Sequence, residues 1–229
     1  DFYKTQENYD EALKDYATAI EISTDDWQTS RAINNSANIY WKEEKWELCI
    51  EEYTKAIAVS PLAVQYSNRG RVYQIIKDYD NAIIDITKAI ELGKEDPEFY
   101  AYRAKCYIEM EDYTSALKDY DKAIDLAPEN PRWYNNRADF YKTQDNYDEA
   151  LKDYATVIEI STDDYQSMRA INNRALIYEK EEKWELSIEE YTKGLLIQEH
   201  PILYENRADV YLELEDYEKA LANYTKAIE

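Results

Sequence analysis

The chain has 229 residues, with 49 acidic and 27 basic side chains, a net charge of −22, only 3 glycines and 5 prolines, and an apolar fraction of 45%. So few chain breakers exclude a turn-rich β-sandwich or a glycine-rich phosphate-binding fold, since glycine alone averages ~7% of residues, and the apolar content excludes a disordered tail. A surface this acidic repels phosphate backbones and anionic lipid, so neither nucleic acid nor a membrane surface is an expected partner.

The opening Asp1-Phe2-Tyr3-Lys4 carries no signal-peptide pattern and is expected to lie inside a longer chain. No apolar run approaches the ~20 residues of a membrane span. Two cysteines, Cys49 and Cys106, sit in helical pattern and suggest neither a disulfide framework nor a metal site. A cytoplasmic location is the expectation from these features.

Displaced by 138 residues, positions 1–91 lie on 139–229 without a gap, and 59 of the 91 pairs are identical. A shorter period lies inside this long one. The small residues Ala12, Cys49, Ala82, Ala116, Ala150, Ser187 and Ala220 are spaced 37, 33, 34, 34, 37 and 33 apart. Such self-similarity is the signature of a repeat array. The units run roughly over 1–26 (lacking most of a first helix), 27–62, 63–96, 97–130, 131–164, 165–200 and 201–229.

Each full unit predicts two helices. Tyr134, Ala138 and Tyr141 share one face of a first helix, and Tyr147, Ala150, Tyr154, Val157 and Ile158 one face of a second. Only Thr143-Gln144-Asp145-Asn146 separates them, so the two are antiparallel neighbours. Pro61 and Pro128 end second helices, whereas Pro97, Pro131 and Pro201 open first helices, where a missing N–H costs nothing. The longer units carry Asp25 and Asp163, each with Gln three residues on (Gln28 and Gln166). That pattern predicts a capping box and a first helix one turn longer.

Of 24 tyrosines, 22 fall in four repeating columns that begin at Tyr66, Tyr3, Tyr9 and Tyr16; Tyr102 and Tyr165 fall outside. Sharing faces with the small residues, they are expected in the core with hydroxyls at polar edges. Ala37, Gly70, Ala104, Ala138, Ala175 and Ala208 should let first helices approach the small residues of second helices. A third small column, Ala19, Ala56, Ala89, Ala123, Val157, Gly194 and Ala227, should meet the following unit. Cys49 reads as a small buried hydrophobe rather than a reactive thiol.

Arg69, Arg103, Arg137 and Arg174 each stand 16 residues before Asp85, Asp119, Asp153 and Glu190, which predicts an ion pair within each hairpin. Arg207 faces Asn223 and should lack one. Catalysis finds little support. His200, the single histidine, abuts Pro201; serines lack a partner base; no phosphate loop occurs. The carboxylate pairs Glu51-Glu52, Glu181-Glu182 and Glu189-Glu190 read as solvated helix faces. No enzyme activity, metal or cofactor is expected.

Units such as Trp133-Tyr-Asn-Asn-Arg-Ala-Asp-Phe-Tyr141 followed by Tyr147-Asp-Glu-Ala150-Leu-Lys-Asp-Tyr154 resemble the tetratricopeptide repeat, over essentially the whole chain. Departures are Tyr or Ile where that family often has Trp, Arg for its Leu before the small residue, and Thr24, Lys94 and Thr162 where Pro often closes a unit. The resemblance implies an all-α fold: an α-solenoid, a right-handed superhelix of antiparallel helix-turn-helix repeats. It also implies a concave groove lined by first helices. On that groove fall Arg31, Asn34, Asn38, Trp41, Arg71, Tyr102, Lys105, Arg132, Asn135, Lys142, Arg169 and Asn172 as candidate peptide-binding residues. Bases outnumber acids there until Glu205 and Asp209 turn its end acidic. Asn amides can bond a peptide backbone and Arg can grip carboxylates in pairs, whereas the Asn35, Asn68, Asn136, Asn173 and Asn206 column can instead bond between neighbouring helices. The family's clamp for chaperone tails asks for a leading Lys that Asn34/Asn38 lacks, and Asn68 is followed by Glu98 and Tyr102, so that ligand is not expected.

The expected function is a non-catalytic protein-interaction scaffold binding an extended, acidic peptide. The alternative is a structural solenoid that self-associates end to end through Tyr3, Tyr9 and Tyr16 at one end and Leu221, Tyr224 and Ile228 at the other.

Overall fold

The computed structural model describes residues 9–93 and 95–229; Tyr3 and Lys94, which belong to the repeat pattern, lie outside the described residues. The chain divides into two compact units, one up to Leu126 and one from Ala127. The first contains α1 (Tyr9–Ile22), α2 (Asp26–Lys42), α3 (Trp46–Val59), α4 (Ala63–Ile75), α5 (Tyr79–Leu92), α6 (Pro97–Glu109) and α7 (Tyr113–Leu126). The second contains α8 (Pro131–Thr143), α9 (Tyr147–Ile160), α10 (Asp164–Lys180), α11 (Trp184–Ile197), α12 (Pro201–Glu213) and α13 (Tyr217–Ile228). There is no strand among the described residues. The even-numbered helices are the first helices, and each packs most closely on the odd-numbered helix that follows it.

Start and stop signals act as the sequence implies. Pro97, Pro131 and Pro201 open α6, α8 and α12, and the side chains of Asp96, Asn130 and His200 cap them. The first helices α2 and α10 have 17 residues against 13 in the other first helices. Asp25 Oδ1 accepts the Gln28 N–H at 2.7 Å, but Asp163 Oδ1 accepts from Tyr165. The reciprocal half of the expected capping box comes from elsewhere: the N–H groups of Asp25 and Asp163 donate to the hydroxyls of Ser23 and Ser161. A serine two residues upstream offers a shorter path than a glutamine folded back from the first turn.

Each turn between paired helices has a residue in the left-handed region: Glu44, Lys77, Glu111, Asp145, Glu182 and Glu215, with φ from 53° to 63°. There the Lys45 N–H donates to Tyr40 O at 2.9 Å and the Glu44 N–H to Trp41 O at 3.1 Å, closing the helix end over its last carbonyls.

Small residues sit where helices meet. Ala37, Ala104, Ala138, Ala175 and Ala208 are fully buried, as are Cys49, Ala82, Ala116, Ala150 and Ser187. A Cβ on Gly194 would lie 2.8 Å from Leu203 Cδ1, a side chain of the following hairpin. Full burial is confined to the inner members of the column that begins at Tyr16. Tyr53, Tyr120, Tyr154 and Tyr191 are at most 2% exposed, and Tyr53, Tyr154 and Tyr191 donate their hydroxyls to Asn38, Asp139 and Glu179. Tyr113 and Tyr217 are exposed, while Tyr9 and Tyr16, expected at an exposed end, are half-buried.

The two remaining columns bracket the half-buried arginines. The Arg69 guanidinium lies 5.8 Å from the Tyr66 ring and 6.0 Å from that of Tyr73; Arg103 lies similarly between Tyr100 and Tyr107. A ring beside a cation gains by staying near the surface, where the guanidinium keeps some water. The expected ion pairs form within their hairpins: Arg69–Asp85 at 2.7 Å, Arg103–Asp119 at 2.8 Å, Arg137–Asp153 at 2.7 Å and Arg174–Glu190 at 3.5 Å. Arg207 donates instead to the Asn223 amide oxygen at 2.9 Å. Glu190 is therefore buried, not part of a solvated face. Its extra methylene spoils the two-point grip, leaving Arg174 Nε and Glu190 Oε2 without partners.

Candidate functional site

First helices of successive hairpins lie close enough for their side chains to interlock, and each compact unit presents one such face. In the first unit the face is built on aromatic rings. Arg31 lies 5.0 Å over the Trp27 ring, one helical turn before it on α2. Arg71 on α4 stands between two neighbours, 5.0 Å from Trp41 on α2 and 4.9 Å from Tyr102 on α6. Trp41 is itself held edge-on by Trp46, with ring centroids 5.6 Å apart. Two cations are thus fixed on ring faces at the surface of a strongly acidic chain. Rings of this kind stabilise the cation without consuming its N–H donors, which stay available for a carboxylate.

Hollows accompany both cations. One of about 380 Å³ is lined by Trp27, Gln28, Arg31 and Asn35; one of about 270 Å³ by Asn38, Trp41, Tyr53, Asn68 and Arg71. Asn38 Oδ1 accepts the Tyr53 hydroxyl at 2.7 Å. Asn34 Oδ1 is buried and takes no hydrogen bond. Tyr102 donates to Glu98 at 3.3 Å, and Lys105 is exposed.

In the second unit the corresponding polar side chains are bonded to one another. Arg169 and Asn173 both donate to Asp139, and the Lys142 amine donates to Asn173 Oδ1 at 2.8 Å. Burial holds that amine below its ordinary range. Asn206 donates to Asn172 at 2.9 Å, so both asparagine columns engage in bonding between first helices. Asn135 is fully buried and donates to Gln166 at 2.8 Å, which removes it from any accessible face. Arg132 lies 4.8 Å over the buried Trp133 ring.

Eight of the twelve candidate residues divide by chemistry: Arg31, Trp41, Arg71 and Tyr102 form ring-supported cations, while Asn135, Lys142, Arg169 and Asn172 are engaged inside the array. Trp27 is a member that sequence reading missed; its spacing of four from Arg31 was the available signal. The described residues contain no group of three or more His, Cys, Asp or Glu side chains placed to hold a metal, and no helix long and apolar enough to cross a membrane.

Three models of one family, each described as the tetratricopeptide repeat, match this chain: one over residues 97–130, one over 119–152, and one over 1–26, 66–95 and 202–229. Together they span more than half of it. The chain is 33% identical over 93 residues to the small glutamine-rich tetratricopeptide repeat-containing protein 2 of Saccharomyces cerevisiae, a match covering 38% of this chain and 26% of that protein. This chain thus spans about a quarter of that relative. Among solved structures, a tetratricopeptide repeat protein from Parabacteroides merdae superposes with a TM-score of 0.70 at 21% identity, over 98% of this chain and 88% of the other. YrrB, a tetratricopeptide repeat protein with an unusual peptide-binding site, gives 0.60 at 23% identity, over 82% and 94%. At such identities these likenesses concern the fold alone.

Proposed function

The chain belongs to the tetratricopeptide repeat family, whose members are generally protein-interaction scaffolds, and on that premise we propose that it binds an extended, acidic peptide on the first-helix face of its first unit. The observation that carries this reading is Arg71, held between Trp41 and Tyr102 on three successive first helices. A guanidinium fixed in this way loses little side-chain freedom on meeting a carboxylate, and it can donate two parallel N–H bonds. Arg31 on Trp27 supplies a second contact of the same kind. Trp41 is also an intrinsic reporter.

The test is titration of the chain with a blocked peptide of alternating glutamate and small residues, followed by calorimetry and tryptophan fluorescence. Binding should weaken with salt and disappear in the Arg31→Glu, Arg71→Glu double variant. Unchanged binding by that variant, or equal binding of the glutamine version of the peptide, overturns the reading.

A second reading, self-association through the outer face of α13, is favoured by the exposure of Leu221 and Ile228, at 69% and 87%. Light scattering that rises with concentration and is abolished by Leu221→Glu would support it.

A further inference from the structure

The two halves of the duplication hold the same cleft with opposite contents. In the first unit Asn38, Trp41, Lys42 and Arg71 line it, and Arg71 lies over the Trp41 ring, leaving about 270 Å³. Their counterparts 138 residues on are Leu176, Glu179, Lys180 and Asp209, and these line a cavity of about 600 Å³ in the second unit. The arginine that fills the first cleft is an aspartate in the second. The tryptophan it rests on is a glutamate.

What remains is a slot with an apolar wall of Leu176, Val210 and Trp184 and an acidic mouth. Glu179 spends Oε1 on the hydroxyls of Tyr191 and Ser187, at 2.6 and 3.1 Å, and Asp209 spends Oδ1 on that of Tyr224. Glu179 Oε2 and Asp209 Oδ2 have no partner among the described residues. Glu213 and Asp145 add further carboxylates, so four acids face two lysines, of which Lys142 is occupied with Asn173 and Lys180 is exposed. The slot also lies at the C-terminal ends of α8, α10 and α12, where the helix dipole favours positive charge.

We propose that this slot binds an arginine side chain of a partner polypeptide, its aliphatic stem against Leu176, Val210 and Trp184 and its guanidinium at Glu179 and Asp209. The first unit fills this cleft with the chain's own arginine, held on aromatic rings; the second unit lacks that arginine, puts carboxylates in its place and is open to one from outside. A long cationic side chain suits a site with an apolar wall and a charged mouth. The proposal is independent of the acidic-peptide reading, because the ligand has opposite charge and the site lies in the other unit.

The test is calorimetric titration of the whole chain with a blocked heptapeptide bearing one arginine between two leucines. The same peptide with citrulline, which keeps the shape and loses the charge, should bind roughly tenfold more weakly or worse. Asp209→Arg, which restores the filled cleft of the first unit, should abolish binding. Glu159→Arg, an equal charge change on the exposed side of α9, should leave binding intact. Should Asp209→Arg lose its helical circular dichroism, Asp209→Asn keeps an acceptor for Tyr224 and should still weaken binding several-fold. Equal affinity for citrulline, an equal loss in Glu159→Arg, or no binding of the arginine peptide at millimolar concentration overturns the proposal.

Discussion

Arg103 grips both carboxylate oxygens of Asp119, Nε to Oδ2 and Nη2 to Oδ1, each at 2.8 Å. Its third donor, Nη1, reaches the Thr87 hydroxyl of the preceding hairpin at 3.0 Å. The Asp119 side chain is 6% exposed and that of Arg103 17%. Removing one partner strands the other charge away from water, so Asp119→Ala should cost about 3–5 kcal/mol in urea unfolding. Asp119→Asn copies the Arg207–Asn223 arrangement already present in α12 and α13 and should cost clearly less. Equal losses in the two variants would show that the charge itself contributes nothing.

Gly70 is the one member of its column without a Cβ. A Cβ there would lie 2.8 Å from Ile86 Cγ1 and 3.2 Å from the Ala82 carbonyl oxygen. Gly70→Ala should destabilise the chain by about 1–3 kcal/mol, the usual effect of an overpacked site. Adding Ile86→Ala removes that Cγ1, so the double variant should lose less than the sum of the two single variants. A thermal melt of the single and double variants decides it, since independent effects would simply add.

Both cysteines are buried, and desolvation pushes each thiol up to about 12. They should resist alkylation in the native chain and react only on unfolding. The same shift links stability to pH. Below the ordinary thiol value of ~8.5 both folded and unfolded chains keep their protons and nothing changes. Above it only the unfolded chain ionises, so stability falls as pH rises towards the folded value. The urea midpoint should therefore drop between neutrality and pH of about 9.5, and drop less in a Cys49→Ser, Cys106→Ala variant.

The left-handed turns offer a gain instead. An L residue there costs about 1–2 kcal/mol, while glycine brings an entropic penalty of about 0.5–1 kcal/mol. Glu111→Gly should raise the melting temperature slightly, and Glu111→Val should lower it. A fall with glycine would mean that the Glu111 side chain contributes more than its backbone costs.

Much of the hairpin plan was legible in the sequence because it rests on local chemistry. Proline starts, small-residue spacing and the distance of 16 from arginine to acid all reappear as helix ends, close approaches and ion pairs. The tyrosines were less legible. All four columns share the helical period, and nothing in that period separates Tyr154, in the core, from Tyr66 beside Arg69. The candidate site was the least legible part. Asn135 and Asn172 occupy the same position in their units, but only Asn135 meets a glutamine from the longer α10, and that contact buries it. Where long side chains bond across hairpins, position alone does not tell an open amide from an occupied one.

The three-way grip of Arg69 and Arg103 has a bearing on how the first unit comes apart. Arg69 ties Asp85 of its own hairpin to Thr54 of the one before, and Arg103 does the same with Asp119 and Thr87. Neither the α4–α5 nor the α6–α7 hairpin can detach without breaking a bond to its predecessor. Nearest-neighbour coupling of this sort makes an array melt as a block rather than fray one tooth at a time. Slowest-exchanging amides of α3 to α7 would then share a single opening event, like a zip that releases all at once.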